Sequence, residues 1–202
     1  QDNHTFIYDD NNTVPWRTIL SGDGGSTVID SRNPDLVLFA RANSRLHRAI
    51  NGNSAASRKI PINNSNGCTS TSPSETFRNF LMAQHPKDPD ILYIANKYIF
   101  RRYNSNTLSP FPSCSPSFSG PHISAFGVSP SEPNIIYLAQ SNRLHKSTDS
   151  GLTWTSLINT ANTTYPDRFP NHIKSIMVNP LDPNKFIASF GSFDGGFPAT
   201  SN

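Results

Sequence analysis

The feature that most constrains this chain is an internal repeat. Four segments share one pattern: TVIDSRNPDLVLFARANSRLHRA at 27–49, FLMAQHPKDPDILYIANKYIFRR at 80–102, ISAFGVSPSEPNIIYLAQSNRLHKS at 123–147 and IKSIMVNPLDPNKFIASFGS at 173–192. Each reads as an alternating strand, a proline turn, a more continuously apolar strand and a short turn, usually with a third strand behind. The anchor prolines are Pro34, Pro89, Pro133 and Pro183, separated by 55, 44 and 50 residues (89−34, 133−89, 183−133). Constant order with variable loop length marks a repeated supersecondary unit that buries its apolar faces only by stacking on its neighbours.

Within one unit the residue types dictate the local structure. In ISAFGV and IKSIMV, apolar and small residues alternate, which is the period of a strand with two different faces. Ala125, Gly127 and Ser175 are small enough to let backbones approach closely. The following proline fixes φ near −65° and donates no ladder hydrogen bond, so the strand must turn. The next strands, LVLFA, ILYIA, IIYLA and KFIAS, are apolar on both faces, as expected for a strand covered on both sides. In the third strands, RLHRA, YIFRR and RLHKS, the strings align Arg48 and Lys146 with Arg101. They also align His47 and His145 with Phe100. A position that accepts phenylalanine reads as packing, so these histidines are expected to pack rather than to ligate or catalyse.

At 202 residues the chain is long enough for one domain with a real core. Only 15% of residues are charged and the net charge is +3; the longest basic block is Arg101–Arg102, so no phosphate-tracking surface is visible and nucleic acid is not an expected partner. No apolar run reaches 18 residues, so no transmembrane helix and no membrane insertion are expected. The start, QDNHTF, carries no basic apolar leader, which a processed exported product would share. Cys68 and Cys114 form no CxxC pair and sit in Ser/Pro-rich stretches. They suit a disulfide between loops in an exported protein and two thiols otherwise.

The stretch HKSTDSGLTW, 145–154, carries the most specific signal. Its Ser147-x-Asp149-x-Gly151-x-Thr153-Trp154 spacing resembles the Asp-box, or BNR repeat. The residues explain the motif: Asp149 accepts hydrogen bonds from its own turn, Gly151 supplies a positive φ, and Trp154 is expected to bury its ring between sheets. Eroded versions follow the other third strands, INGNSA and YNSNT. Trp16 stands where a further box tryptophan would fall. Four strands per unit and 45–55 residues per unit predict an all-β fold, a β-propeller of four-stranded antiparallel blades.

A wider resemblance begins at Gln1-Asp2-Asn3, followed by Trp16 and SGDGGSTVIDSRNPDLVLF at 21–39. This is similar to secreted Asp-box propellers of the sortilin-like and xyloglucanase-like (glycoside hydrolase 74-type) kind. His4 and Ser31 depart from that pattern. The resemblance implies export to the cell surface or the medium and rings of seven or more blades. About four blades are expected here, as part of a larger propeller. They run as the end of a preceding blade at 1–20 (or strands that combine with the last unit and close a four-bladed ring), blades at 21–75, 76–120 and 121–170 (with the Asp-box), and the start of a further blade at 171–202.

Two functions fit. The first is a binding or structural module that recognises a glycan or a protein, or packs on the remainder of a larger propeller chain. The second is part of a glycoside hydrolase, which needs two opposed carboxylates. Asp2 and Asp23 are the weak candidates for those, with Asp30 nearby, and the Gly22-Asp23-Gly24-Gly25 loop is a candidate ligand contact. The plainer reading of that loop is a tight turn between blades. No cofactor is expected beyond calcium, which Asp9, Asp10 and their asparagines could hold if they are not simply a solvated hairpin tip. Tyr98, Tyr103, Phe111 and Phe118 are candidates for stacking on sugars or for packing between blades.

Overall fold

The computed structural model describes residues 5–8, 13, 16–20, 24–41, 45–50, 53–59, 81–96, 99–113, 115, 118, 122–140, 143–157 and 172–191. Among these there is no helix, and every strand pairing is antiparallel. The chain divides into two compact units, Gln1–Ser119 and Gly120–Asn202.

The first unit holds three sheets. A hairpin pairs β1 (Thr5–Tyr8) with β2 (Trp16–Leu20). A four-stranded meander runs β3 (Gly24–Ile29), β4 (Leu36–Arg41), β5 (Arg45–Ile50) and β6 (Asn53–Lys59). A three-stranded one runs β7 (Leu81–Gln84), β8 (Ile91–Asn96) and β9 (Ile99–Asn104). The second unit holds a four-stranded meander of β10 (Ile123–Val128), β11 (Ile136–Gln140), β12 (Arg143–Ser147) and the two-residue β13 (Thr155–Ser156). It also holds the pair β14 (His172–Val178) and β15 (Phe186–Gly191).

The second strand of the first repeat, β4, is apolar on both faces because each face meets a different sheet. Val37, Phe39 and Ala49 pack with Ile19 of the preceding hairpin. Leu38 and Leu46, with Val28 beside them, pack on Met82, Leu92, Ile94 and Tyr103 of the following sheet. In the second unit, Ala125, Tyr137, Ala139 and Leu144 pack on Ile173, Ile176 and Val178, with Phe186 and Ala188 against them. Within a unit, the face of a sheet turned toward the sheet before it in sequence is its backward face, and the face turned toward the sheet after it is its forward face. Full burial of each such side chain is worth about 1.5–3 kcal/mol, so inter-sheet packing dominates the stability of each unit.

Gly127 shows how closely β10 and β14 approach: a Cβ there would lie 2.8 Å from the Ile176 carbonyl oxygen. The expected small residue is thus required by backbone-to-backbone contact between two sheets.

The proline turns share one hydrogen-bond scheme. The residue four places before each anchor proline offers a side-chain acceptor to the turn's own backbone. Asp30 Oδ1 accepts from Arg32 N (2.9 Å), His85 Nδ1 from Lys87 N (3.1 Å) and Asp88 N (2.8 Å), Ser129 Oγ from Glu132 N (3.2 Å), and Asn179 Oδ1 from Leu181 N (2.8 Å) and Asp182 N (3.3 Å). Their backbone N–H groups close the hairpins by donating to Leu36, Ile91, Ile135 and Lys185. Four different residue types fill one role, that of a lone pair aimed at the turn.

One alignment is corrected by the register. Phe39, Ile94 and Leu138 stand five places after their prolines, and they pair with His47, Arg101 and His145. Arg101, not Phe100, is the counterpart of the two histidines. Phe100 pairs with Ala95 as Leu46 does with Ala40 and Leu144 with Ala139, while Arg102 corresponds to Arg48 and Lys146. The argument from a phenylalanine substitute therefore falls. His47 does pack, buried and stacked on Phe39 at 5.3 Å between ring centroids.

Candidate functional site

The turn after β12 is built by two side chains. Ser147 is buried; its Oγ accepts from Gly151 N (2.8 Å) and Asp149 N (3.3 Å) and donates to Asp149 Oδ1 (2.8 Å). Asp149 Oδ1 accepts from Leu152 N (3.0 Å) and Thr153 N (2.9 Å), and its Oδ2 accepts from Thr153 Oγ1 (2.6 Å). Such a compact loop forces two residues into the left-handed region, Ser150 at φ 61° and Gly151 at φ 84°. Asn134 ties it to the proline turn: Asn134 Nδ2 donates to the Thr148 carbonyl, and the Asn134 carbonyl accepts from Ser150 N, both at 2.9 Å. Burial pushes the Asp149 pKa up, but the hydrogen bonds from Thr153, Ser147 and Leu152 outweigh it, leaving the pKa below the ordinary carboxylate value. Asp149 is an acceptor committed to its own turn. Trp154 is only half-buried, and the strand after it is two residues long. The full burial expected of its ring is therefore not reached.

A second cluster joins two proline turns of the first unit. Asp30 is buried, and both its oxygens are engaged: Oδ1 by Arg32 N and Nε (2.9 and 3.3 Å), Oδ2 by Arg32 Nη2 (3.2 Å) and Gln84 Nε2 (3.0 Å). Arg32 also reaches Asp90 Oδ1 at 2.8 Å. Gln84 completes the clasp, accepting from Ser31 N and donating to the Pro89 carbonyl, both at 3.0 Å. For Asp30, too, burial raises the pKa and the bonds from Arg32 and Gln84 reverse the sign, so it stays ionised. Asp30 was a candidate acid in the sequence; its geometry makes it the anchor of a turn instead. The polar residue four places before each proline would have pointed to Asp30 as a turn acceptor, but not to Arg32, Gln84 or Asp90, which stand at other offsets.

The remaining candidates divide as follows. Gly24 opens β3 and Gly25 is half-buried within it. Tyr103 is buried in the packing between two sheets and is not a sugar-stacking surface. Phe111 is half-buried under the Arg102 guanidinium at 5.6 Å, and Phe118 is half-buried. Asp2, Asp9, Asp10, Gly22, Asp23, Cys68, Tyr98 and Cys114 lie outside the described residues. Among the described residues no group of three metal-ligating side chains comes together.

An all-β chain of packed antiparallel sheets, each with a forward and a backward face, is the construction of a β-propeller, and solved structures share it. The Niastella koreensis GH74 enzyme matches with TM-score 0.58 at 14% identity, covering 82% of this chain and 28% of that one. A chain of the mitotic checkpoint complex matches with TM-score 0.58 at 11% identity, covering 94% of this chain and 54% of that one. An ancestral GH74 enzyme matches with TM-score 0.55 at 12% identity, covering 83% of this chain and 22% of that one. These neighbours are propeller structures, and at such identities the likeness is one of fold. The chain spans 28%, 54% and 22% of their lengths. No family model and no curated protein matches it.

Proposed function

We propose that this chain is a segment of an exported Asp-box β-propeller of four-stranded blades, acting at the cell surface or in the medium as a binding or structural module for a glycan or a protein. The observation that carries this reading is the fate of its carboxylates. Asp30 and Asp149 each have both oxygens hydrogen-bonded within the fold, and both stay ionised. A glycosidase needs one carboxyl kept protonated opposite a second, and neither residue is free for that work. The Ser147–Thr153 turn supports the Asp-box assignment through its mutual side-chain and backbone bonding.

The likeness to GH74 enzymes favours a second reading, a segment of a glycoside hydrolase, with Asp2 and Asp23 as its acids. A glycan array probed with the purified chain, run beside a reducing-sugar assay on plant polysaccharides, separates the two. Saturable binding without release of reducing ends is expected. Hydrolysis with a bell-shaped pH profile that collapses in Asp23→Asn would overturn the module reading.

A further inference from the structure

One row of the β3–β6 sheet is unlike its counterparts. The register sets Gly24 opposite Arg41, Arg41 opposite Arg45 and Arg45 opposite Lys59. Arg41 and Arg45 lie 4 residues apart in the chain and Lys59 lies 14 further on (45−41, 59−45), so no basic run announces them and only the ladder brings them together. Residues directly opposed across antiparallel strands share a face and neighbour one another, at a strand spacing of about 4.8 Å. Three cations thus stand side by side over about 10 Å, two strand spacings. They continue the face on which Val37, Phe39 and Ala49 pack. The four strands of this sheet hold five of the chain's 17 lysines and arginines and neither aspartate nor glutamate. The fourth member of the row, Gly24, opens β3, and the register shifts between Gly24 and Thr27. Glycine and a bulge at a strand end suit close approach of a ligand to the backbone.

The fold does not ask for this charge. The corresponding pairs of the next two repeats are Asn96–Ile99 and Gln140–Arg143, which build the same hairpin with at most one cation. Like charges set directly opposite one another destabilise a sheet, so the first repeat carries a cost that its sisters avoid. A feature that works against stability, and that the repeat does without elsewhere, marks binding rather than folding.

Resting on the glycan-binding reading, we propose that the Arg41–Arg45–Lys59 row holds the carboxylate or sulfate groups of an anionic polysaccharide. Arginine's planar fork matches the paired oxygens of a carboxylate or a sulfate, and lysine adds a point charge. One cation per strand repeats charge at a regular interval, as an extended chain of charged sugars does. Nucleic acid is the poorer match. Three cations fall short of the roughly 6–10 phosphate contacts on which strong DNA binding draws. The four strands hold one Phe, Tyr or Trp, the buried Phe39, so no base-stacking platform accompanies the row.

Surface plasmon resonance of the purified 202-residue chain at about 0.15 M salt tests this, with polygalacturonate supplying carboxylates, dextran sulfate supplying sulfates and dextran supplying neither. Binding to at least one charged polysaccharide and none to dextran is expected, and which one binds identifies the source of the anion. Arg41→Gln and Arg45→Gln should each weaken binding about tenfold, the loss of one charge-assisted contact. Arg143→Gln removes the same charge at the matching place of a sister repeat and should leave binding unchanged. Removing one of three like charges relieves repulsion, so both row variants should melt no lower than wild type. Silence toward both charged polysaccharides overturns the inference, and so does an equal loss in Arg143→Gln, a lower melting temperature in both row variants, or equal binding to poly-glutamate or an oligothymidylate. Binding of a neutral glycan that ignores Arg45→Gln would overturn it while leaving the module reading intact; hydrolysis of a polyanion held by the row would do the reverse.

Discussion

His85 makes one turn depend on a proton. Its Nδ1 accepts from Lys87 N at 3.1 Å and Asp88 N at 2.8 Å, so the lone pair must be present and the ring's proton must sit on Nε2. Protonation replaces an acceptor with a donor facing two donors. Two hydrogen bonds at about 0.5–1.5 kcal/mol each are forfeited, and since water still reaches the half-buried ring, about 1–2 kcal/mol is the expected total. Burial is the main reason the His85 pKa lies below the ordinary histidine value of 6.5; Asp88 opposes the lowering, Lys87 adds to it, and Tyr93 stacks on the ring at 5.9 Å. The sign follows. The unfolded chain binds the proton more readily, so this contribution is complete above pH 6.5 and is lost as pH falls through the lower folded value.

His85→Asn is the informative perturbation, because Asn179 fills the same place in a sister turn with Oδ1 accepting from Leu181 N and Asp182 N. Urea unfolding at pH 7.5 should find His85→Asn within about 0.5 kcal/mol of wild type and His85→Ala less stable by about 1–2 kcal/mol. Between pH 7.5 and 5 the wild type should lose stability relative to His85→Asn, a comparison that cancels the other histidines. A His85 pKa at or above 6.5 by NMR, or an Asn variant that keeps the full pH slope, would refute the reasoning.

Asp149→Ala should cost about 2–3 kcal/mol in urea unfolding, since four donors of one turn lose their acceptor together, while Asp149→Asn should lose less because an amide oxygen still accepts. Gly127→Ala places a carbon 2.8 Å from the Ile176 carbonyl and should destabilise by about 1–3 kcal/mol; a neutral result by thermal melting would mean that the two sheets are further apart than described. Asp30 and Asp149 both have folded pKa values below 3.8, so the stability they contribute is present above that pH and disappears as acid takes the chain through their folded values. Thermal melts from pH 5 to pH 2 should show this loss, and Asp30→Asn should flatten part of it.

Much of the architecture was legible in the residues because it rests on short-range rules. Proline before a second apolar strand predicts the turn, two-faced apolarity predicts the covered strand, and Gly127 predicts close approach. The equivalence of Arg101 with His47 and His145 was not legible. Matching strings sets RLHKS against YIFRR, whereas pairing sets it against the segment starting at Ile99, one residue later. A one-residue slip in a strand exchanges its two faces, and only the ladder reveals it. The Asp30–Arg32–Gln84–Asp90 clasp was hidden for another reason: it joins residues up to 60 apart that stand at four different offsets from Pro34 and Pro89, so no repeat position marks them.

The turn acceptor four places before each anchor proline explains how a fold can be shared at 11–14% identity when no family model matches. The turn needs a lone pair at one position, and aspartate, histidine, serine and asparagine all supply it. The forward face needs apolar bulk of a certain size, and leucine, tyrosine and isoleucine all serve. Each structural demand is for a chemical property at a fixed place, and each property is degenerate over several side chains. Four repeats of one chain already differ at nearly every such position while keeping the same hydrogen bonds. Divergence between chains has at least the same freedom. The turns and sheet faces therefore carry the fold without fixing the letters, and the bonded positions are better markers of this construction than any string of residues.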